Sequence, residues 1–479
     1  MKISTKFKKY STIAGSILML FPTGVNYLQG NVLPYIVSYL HSLGKYQDTN
    51  IGSEVWIIGL YYAGFISTIM TSYFEKKFGM RFMMFVGVIL ISTGFLSTHF
   101  SVQYSMWLVA FTFGLLPGIG VAQCINVTIS IIVKWMPDRM GFGVSVITTG
   151  SGIGVLVLNN AIMQYVNPED IKTNKTINSI NQYIIVDLLL RACWSFYNVL
   201  QPSSVFTDEG ILARTPYLFL LLGSITVLVQ IVSIFFIYIV PEADEEEQII
   251  LEKSDHWSPK ETDRDKVVNF RTDVESYAAS NLNLLQVLRQ PSAYLLMVAS
   301  SFYLGATLVV SATYKVQSFG EQFIKEDSIL TNIGGVAGFM APIFRPIFGI
   351  LADKISHKLC LISMCAVLVV LLETFYYTQY MGVAGYSLWL VLLMVHLGGG
   401  QPLYRSTIPR CYGVENQSSN QTILSFGYCT VAIGISLTAP LILSKLGWFY
   451  LFPIIGILPL LSILALAVFN VRLKDGTRI

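Results

Sequence analysis

Apolar residues in this chain come in long blocks separated by short charged turns, a pattern that reads as successive membrane-spanning helices. Spans fall at 13–40, 54–72, 82–99, 105–133, 142–166, 213–240, 291–315, 328–351, 359–378, 387–405, 422–444 and 447–470. Lipid offers the backbone no partners, so each block is expected to satisfy its own hydrogen bonds as a helix. Only Lys134–Gly141 separates the fourth and fifth spans, enough for a tight turn. The six spans on either side of a long acidic stretch repeat one another in outline, each set with a charged loop after its second span and another after its fourth. The pattern predicts an all-α membrane protein of twelve transmembrane helices in two six-helix pseudo-repeats. Its expected units are an N-terminal bundle at 1–240 with an outer insert at 167–212, an acidic cytosolic linker at 241–290, and a C-terminal bundle at 291–479.

Polar residues inside the blocks stand out. In span 8, Arg345 sits among Phe344, Pro346, Ile347 and Phe348, and Asp353 and Lys354 mark the rim. At 1.5 Å per residue Arg345 lies about 12 Å deeper than Asp353, close to the midplane of a hydrocarbon core about 30 Å thick. An uncompensated guanidinium there costs at least a few kcal/mol, so Arg345 is a candidate functional residue. Span 1 carries Asn26, Tyr27, Gln29 and Asn31 between Pro22 and Pro34, which suits a bent helix lining a cavity; interhelical hydrogen bonding is the plainer alternative. Gln123 and Asn126 in span 4, and Thr148, Thr149, Asn159 and Asn160 in span 5, are further candidates for a polar lining. In span 10, His396 precedes Gly398, Gly399, Gly400, Gln401 and Pro402, a segment of low local stiffness and a candidate gate, with His396 open to a site or a packing role. Span 11 carries Ser425, Tyr428, Ser436 and Thr438 and no charge before Lys445.

Composition agrees with the pattern: 53% of residues are hydrophobic and 12% charged, where soluble domains carry about 25% charged, and mean hydropathy is +0.60. A net charge of +3 is too small to suggest a nucleic-acid partner. Cys124, Cys360, Cys365 and Cys429 lie inside spans without paired spacing, which suits packing rather than disulfides or zinc. No nucleophile–base set or metal spacing appears, so neither an enzyme nor a cofactor is expected. The basic start leads into a first span too long for a cleavable signal. Lys2, Lys6, Lys8 and Lys9, Lys76, Lys77 and Arg81, Lys134 and Arg139, and Lys354, Lys358, Arg405 and Arg410 all fall on one side, which the positive-inside rule makes cytosolic together with both termini. Within the outer insert, Ile184–Leu200 is too short to span and carries Asp187 and Arg191 four apart, as a surface helix or partner-binding element would. Residues 241–280 hold twelve Asp/Glu against five Lys/Arg and read as a linker or a docking surface. The expected partners read from these features are the lipid bilayer and proteins at 167–212 and 241–280, to which the resemblance below adds a small organic anion with protons as candidate coupling ions.

Three stretches carry a family resemblance. Lys134-Trp135-Met136-Pro137-Asp138-Arg139-Met140-Gly141 resembles a KWFP-D-x-x-G turn, Arg345-Pro346-x-x-Gly349-x-x-x-Asp353 an eighth-helix arginine followed by a gate motif, and Tyr412–Asn416 with Asn420–Gly434 a loop and small-residue eleventh helix. Together they are similar to the major facilitator superfamily, in its oxalate/formate-antiporter-like and monocarboxylate-transporter branch. That resemblance implies the major facilitator fold and alternating access. It implies a substrate site at Arg345, with the polar residues Asn26, Tyr27, Gln123, Asn126, Tyr428 and His396 read above as candidate lining, and gating residues Gly79, Arg81, Asp138, Arg139, Gly349 and Asp353, with Gly399 added from the glycine run. The first gate motif departs from the family pattern, with Ser72 for its glycine and Lys76 for its aspartate, although Gly79 and Arg81 are kept and Glu75 stands beside the missing acid. The second copy has Ser356 where glycine is usual.

Oxalate/formate exchangers pair the arginine with a basic residue in helix 11, which span 11 lacks, and monocarboxylate carriers have a helix 1 lysine and an aspartate where Ala341 stands. One arginine without a second charge fits a monocarboxylate better than oxalate. The resemblance thus implies a secondary active transporter of small monocarboxylates, proton-coupled or exchanging, as a multi-pass protein of the plasma membrane or mitochondrial inner membrane. Two alternatives stay open: a carrier of another small amphipathic solute, with Arg345 held structurally, and a transport-degenerate structural subunit of a larger complex, which the weakened first gate motif would fit.

Overall fold

Helices follow from the apolar blocks because each block closes its own backbone hydrogen bonds. The computed structural model describes residues 4–44, 55–169, 171, 175–176, 204–239, 281–320 and 327–471. Among these residues twelve helical rods follow one another, and the one strand pairing joins Lys175–Thr176 to Ser204–Val205. We label the rods α1 to α12. Rod α1 joins helices Thr5–Leu20 and Gln29–Ser42 through a 3-10 stretch, Phe21–Leu28, which tightens the chain between Pro22 and Pro34 where the sequence predicted a bend. Rod α2 is Val55–Gly64, a 3-10 turn Phe65–Ser67, and Thr68–Phe78. Rod α3 is Met80–Ser101, and α4 runs from Met106–Val109 through a π-helical turn, Ala110–Leu115, to Leu116–Trp135. Rods α5 and α6 are Met140–Val166 and Glu209–Phe236. The second half supplies α7 Pro291–Gly320, α8 Asp327–Lys354, α9 His357–Phe375 and α10 Gly382–Tyr412. Thr422–Val468 is α11 and α12, broken at Gly447, whose φ of 78° an L side chain rarely adopts.

Eight described stretches are long and apolar enough to cross a bilayer, with α9 and α10 falling in one of them. The rods outside those stretches are α1 and α2, interrupted by 3-10 turns, and α11. Two expected boundaries move. Asp208 caps α6, its Oδ1 accepting from the Ile211 N–H at 2.9 Å, so the helix starts at Glu209 and the insert is shorter than 167–212. The approach to α7 holds a short helix, Leu284–Val287, with a capping box between Asn283 and Gln286. The insert helix Ile184–Leu200 and the acidic stretch 241–280 lie outside the described residues.

The halves meet along two seams, α5 against α8 and α2 against α11. In each seam the second rod of one half meets the fifth rod of the other, the arrangement a twofold pseudo-repeat produces. Small residues let the backbones close: a Cβ at Gly152 on α5 would come within 2.5 Å of the Pro342 ring on α8. Around the seams the core is apolar, with Phe113, Phe219, Tyr303, Phe375 and Tyr404 fully buried. Outward faces of Phe85, Ile89, Trp107, Phe235 and Val468 are exposed, as lipid-facing surfaces are.

Candidate functional site

Between the halves lies a cavity of about 60 Å³, room for roughly four to six water-sized groups. The first half lines it with Leu20 and Thr23 of α1, Tyr61, Tyr62 and Phe65 of α2, Ile125 of α4, and Thr148 and Ser151 of α5. From the second half come Leu304 of α7, Arg345 of α8, Gln401, Pro402 and Arg405 of α10, and Tyr428 of α11. The lining thus takes the first, second, fourth and fifth rods of each half and omits the third and sixth. A site built symmetrically on both halves can be opened from either side by rocking one half against the other.

Arg345 is 7% exposed and reaches across the seam. Its Nε donates to the Gly398 carbonyl on α10 at 3.0 Å, and its Nη1 donates to the Thr148 carbonyl and, at 3.0 Å, to Ser151 Oγ on α5. Neutral acceptors from both halves therefore hold the buried cation.

The other predicted substrate residues divide. Tyr428 lines the cavity. Gln123 is taken up in packing: Thr71 Oγ1 donates to its Oε1 at 2.7 Å, and its Nε2 donates to Ser67 Oγ at 3.0 Å, stitching α4 to α2. Asn126 is fully buried one position from the lining residue Ile125, and its amide has no hydrogen-bond partner among the described residues. His396 is not among the lining residues: its Nδ1 lies 2.8 Å from the Leu392 carbonyl and its ring 5.6 Å from that of Phe348. Asn26 and Tyr27 lie in the 3-10 stretch of α1, and their side chains fall outside the described residues.

The glycine run of α10 is continuous helix. A Cβ at Gly399 would meet Phe348 at 2.5 Å, so this glycine serves close packing of α10 on α8.

Sequence reading missed Arg405. Counted there as a cytosolic loop charge, it lies inside α10, is 7% exposed and lines the cavity. The signal was available: α10 carries a second basic residue, Arg410, near its last turn, just as Asp353 marks the rim below Arg345.

The basic ends of the halves are clamped together. Asp353, at the foot of α8, accepts from the Gly141 and Phe142 N–H groups at 2.9 and 2.7 Å, capping the first turn of α5 in the other half. Arg410 Nη1 donates to the same carboxylate at 3.3 Å, and His357 Nε2 stands 3.7 Å away. The symmetric corner uses different residues. Ser418, in the turn before α11, donates to Glu75 Oε2 at 2.5 Å, and Lys76 Nζ donates to Asn416 Oδ1 at 2.8 Å. Glu75 thus supplies the acid that the first gate motif lacks at position 76.

Other predicted gating residues stand apart from this clamp. Asp138 and Arg139 pair with each other at 3.5 Å while largely exposed, an interaction of little energetic weight. Arg81 is exposed on α3, and Gly79 makes the α2–α3 turn at φ 85°. Gly349 belongs to the clamp: its Cβ would sit 2.6 Å from the Gly141 carbonyl oxygen and 2.8 Å from Phe142 Cα. Backbone cannot rotate aside, so Gly349→Val is expected to wedge α8 from α5 at this end. Maleimide labelling of a cysteine placed at the buried Ser145 should rise several-fold in Gly349→Val; unchanged labelling would show that the seam tolerates the bulk.

A family model described as Major Facilitator Superfamily matches residues 209–435, from α6 into α11. No curated protein matches the chain. Among solved structures, a proton:xylose symporter bound to 6-bromo-6-deoxy-D-glucose is 13% identical with a TM-score of 0.65, covering 97% of this chain and 96% of that one. The transporter FucP in its outward conformation is 13% identical with a TM-score of 0.60, at 96% and 98% coverage. A fucose:proton symporter of E. coli is 14% identical with a TM-score of 0.57, at 96% and 97% coverage. These likenesses establish the major facilitator fold.

Proposed function

We propose that the chain is a member of the major facilitator superfamily and carries small carboxylate anions across its membrane by alternating access, with Arg345 as the anion site. One observation carries the reading: a buried guanidinium in a cavity between the halves, bonded to both of them. A carboxylate is a stronger acceptor than a carbonyl or hydroxyl, so an entering anion competes with Thr148 and Ser151 for the fork. Exchanging a contact across the seam for one to substrate lets binding bias the equilibrium between open and closed forms. Monocarboxylates are the substrates that Arg345 by itself accounts for. The clamp at the basic face, remade at Glu75, speaks for a working carrier over a transport-degenerate subunit.

A second reading is favoured by the same bonds. Carbonyls and a hydroxyl already receive Arg345, so it could be a structural tie in a carrier of neutral solutes. Uptake into proteoliposomes separates the two. The expected result is saturable accumulation of labelled lactate or pyruvate, changed by an imposed pH gradient if protons are coupled, with xylose and fucose neither taken up nor inhibiting. Transport of the sugars alone would overturn the carboxylate reading, and transport of neither class would favour the subunit.

A further inference from the structure

A second cation, Arg405, lines the cavity beside Arg345. Arg405 is as buried as Arg345, and its guanidinium carbon lies 5.9 Å from the ring centres of both Phe65 and Tyr428. Those rings belong to α2 and α11, opposite halves of the molecule. Aromatic faces offer a cation partial compensation without consuming its N–H donors. Among the described residues no carboxylate, carbonyl or hydroxyl receives those donors; the hydrogen bond at this residue is to its backbone, from Gln421 Nε2 to the Arg405 carbonyl at 2.7 Å. The Gln421 bond and the two rings fix the backbone and the head of Arg405 while leaving its hydrogen-bonding fork to the cavity.

Depth follows from helix geometry. Asp353 and Arg410 touch at 3.3 Å and so share a level. Counting back along the two parallel helices puts Arg345 about 12 Å and Arg405 about 7.5 Å from that level, an axial offset of roughly 4–5 Å. Two guanidiniums at that offset, facing one small cavity, repel each other in the empty site. A single carboxylate neutralises one of them.

We infer that Arg405 is a second anion-binding residue and that the preferred substrate carries two acidic groups on a short backbone, one held at Arg345 and the other at Arg405. The inference rests on the carboxylate reading and narrows its substrate from small carboxylates in general to short dicarboxylates. The axial offset sets the length: a three-carbon diacid such as malonate is of that span, whereas longer diacids exceed it.

The test uses the full-length purified protein and reads both thermal stabilisation and competition against labelled uptake. Malonate is compared with lactate, a monocarboxylate of similar size, in the parent, Arg405→Gln and Arg405→Lys. In the parent, malonate is expected to bind at least tenfold more tightly than lactate, a comparison that needs no variant to fold. Arg405→Gln should weaken malonate by about 10- to 100-fold, the worth of a charge-assisted hydrogen-bonded contact, and lactate by less than threefold. Arg405→Lys, which keeps the charge but not the fork, should recover part of the malonate affinity. Parent protein that binds lactate as tightly as malonate, or Arg405→Gln weakening both alike, overturns the two-headed site and leaves the carboxylate reading standing. A parent that binds neither acid removes the carboxylate reading and this inference with it.

Discussion

Arg345→Ala is expected to abolish carboxylate uptake, a loss of at least 100-fold, while the protein folds and melts within a few degrees of the parent. The two halves of that expectation come from opposing terms. Burying an ion costs several kcal/mol even after relaxation, and the bonds to Gly398, Thr148 and Ser151 return about 1.5–3 kcal/mol each, as charged hydrogen bonds do. Removing the side chain removes cost and return together. Of the acceptors left behind, the Thr148 carbonyl also takes the Ser151 hydroxyl at 2.8 Å, while the Gly398 carbonyl, whose helical donor would be the N–H that Pro402 lacks, turns to solvent in the cavity. Stability therefore changes little, whereas the anion loses the guanidinium that joins both halves around it. Arg345→Lys keeps the charge but cannot offer a planar fork, and should retain the fold and lose most transport. A structural tie gives the reverse pattern: aggregation or a sharply lowered Tm in Arg345→Ala, with surviving protein stabilised by carboxylates as the parent is. Melting curves of parent and both variants, with and without lactate and malonate, distinguish the two outcomes.

The twelve rods were legible because bilayer thickness imposes one length on every apolar block, whatever its neighbours. Arg345 was legible for a related reason: a charge at that depth has a cost no local preference offsets, so its placement needed no tertiary information. What sequence reading lacked was rotation. Gln123 and Ile125 are neighbours on α4, yet one bonds to α2 and the other faces the cavity, and only packing decides which. Arg405 was misplaced by counting the first basic residue after an apolar run as the membrane rim. In α10 the rim charge is Arg410, and Arg405 lies a turn and a half deeper. The Gly398–Gly400 run suggested a hinge because glycine weakens isolated helices, but here each glycine admits a side chain of α7 or α8: Tyr303 at Gly400, Phe348 at Gly399, and Ala341 at Gly398. The motif departure at Lys76 was visible and its remedy was not. Ser418, which donates to Glu75, is more than three hundred residues away in sequence.

The clamp at the basic face yields the other large expected effect. Asp353→Ala should leave both halves folded and collapse transport by two orders of magnitude or more, because the state closed at this end loses its main tie. The carboxylate is 7% exposed and accepts two N–H groups from the first turn of α5 together with one from Arg410. It stands where a helix N-terminus favours negative charge, so its attraction to α5 exceeds that of the two bonds alone. Hydrogen bonds to a charged group are worth about 1.5–3 kcal/mol each, so losing the two to α5 shifts closure by about 3 kcal/mol or more, and about 3 kcal/mol changes a two-state ratio by about 150-fold. None of these contacts lies within a half except that to Arg410, so the cost falls on closure rather than on folding. Asp353→Asn keeps one acceptor and loses the charge, and should be intermediate. Arg410→Gln should be milder, since Arg410 is 23% exposed and water can replace part of its role. Glu75→Gln weakens the symmetric corner and should add to Asp353→Asn without coupling to it, as sites without shared partners do. The readouts are uptake and maleimide labelling of a cysteine at position 145, which sits under the clamp on α5. Labelling should rise as uptake falls, in the order Arg410→Gln, Asp353→Asn, Asp353→Ala. Parental uptake in Asp353→Ala with unchanged labelling would show that the halves close without this tie, and the Asp353 corner would then be packing rather than gate.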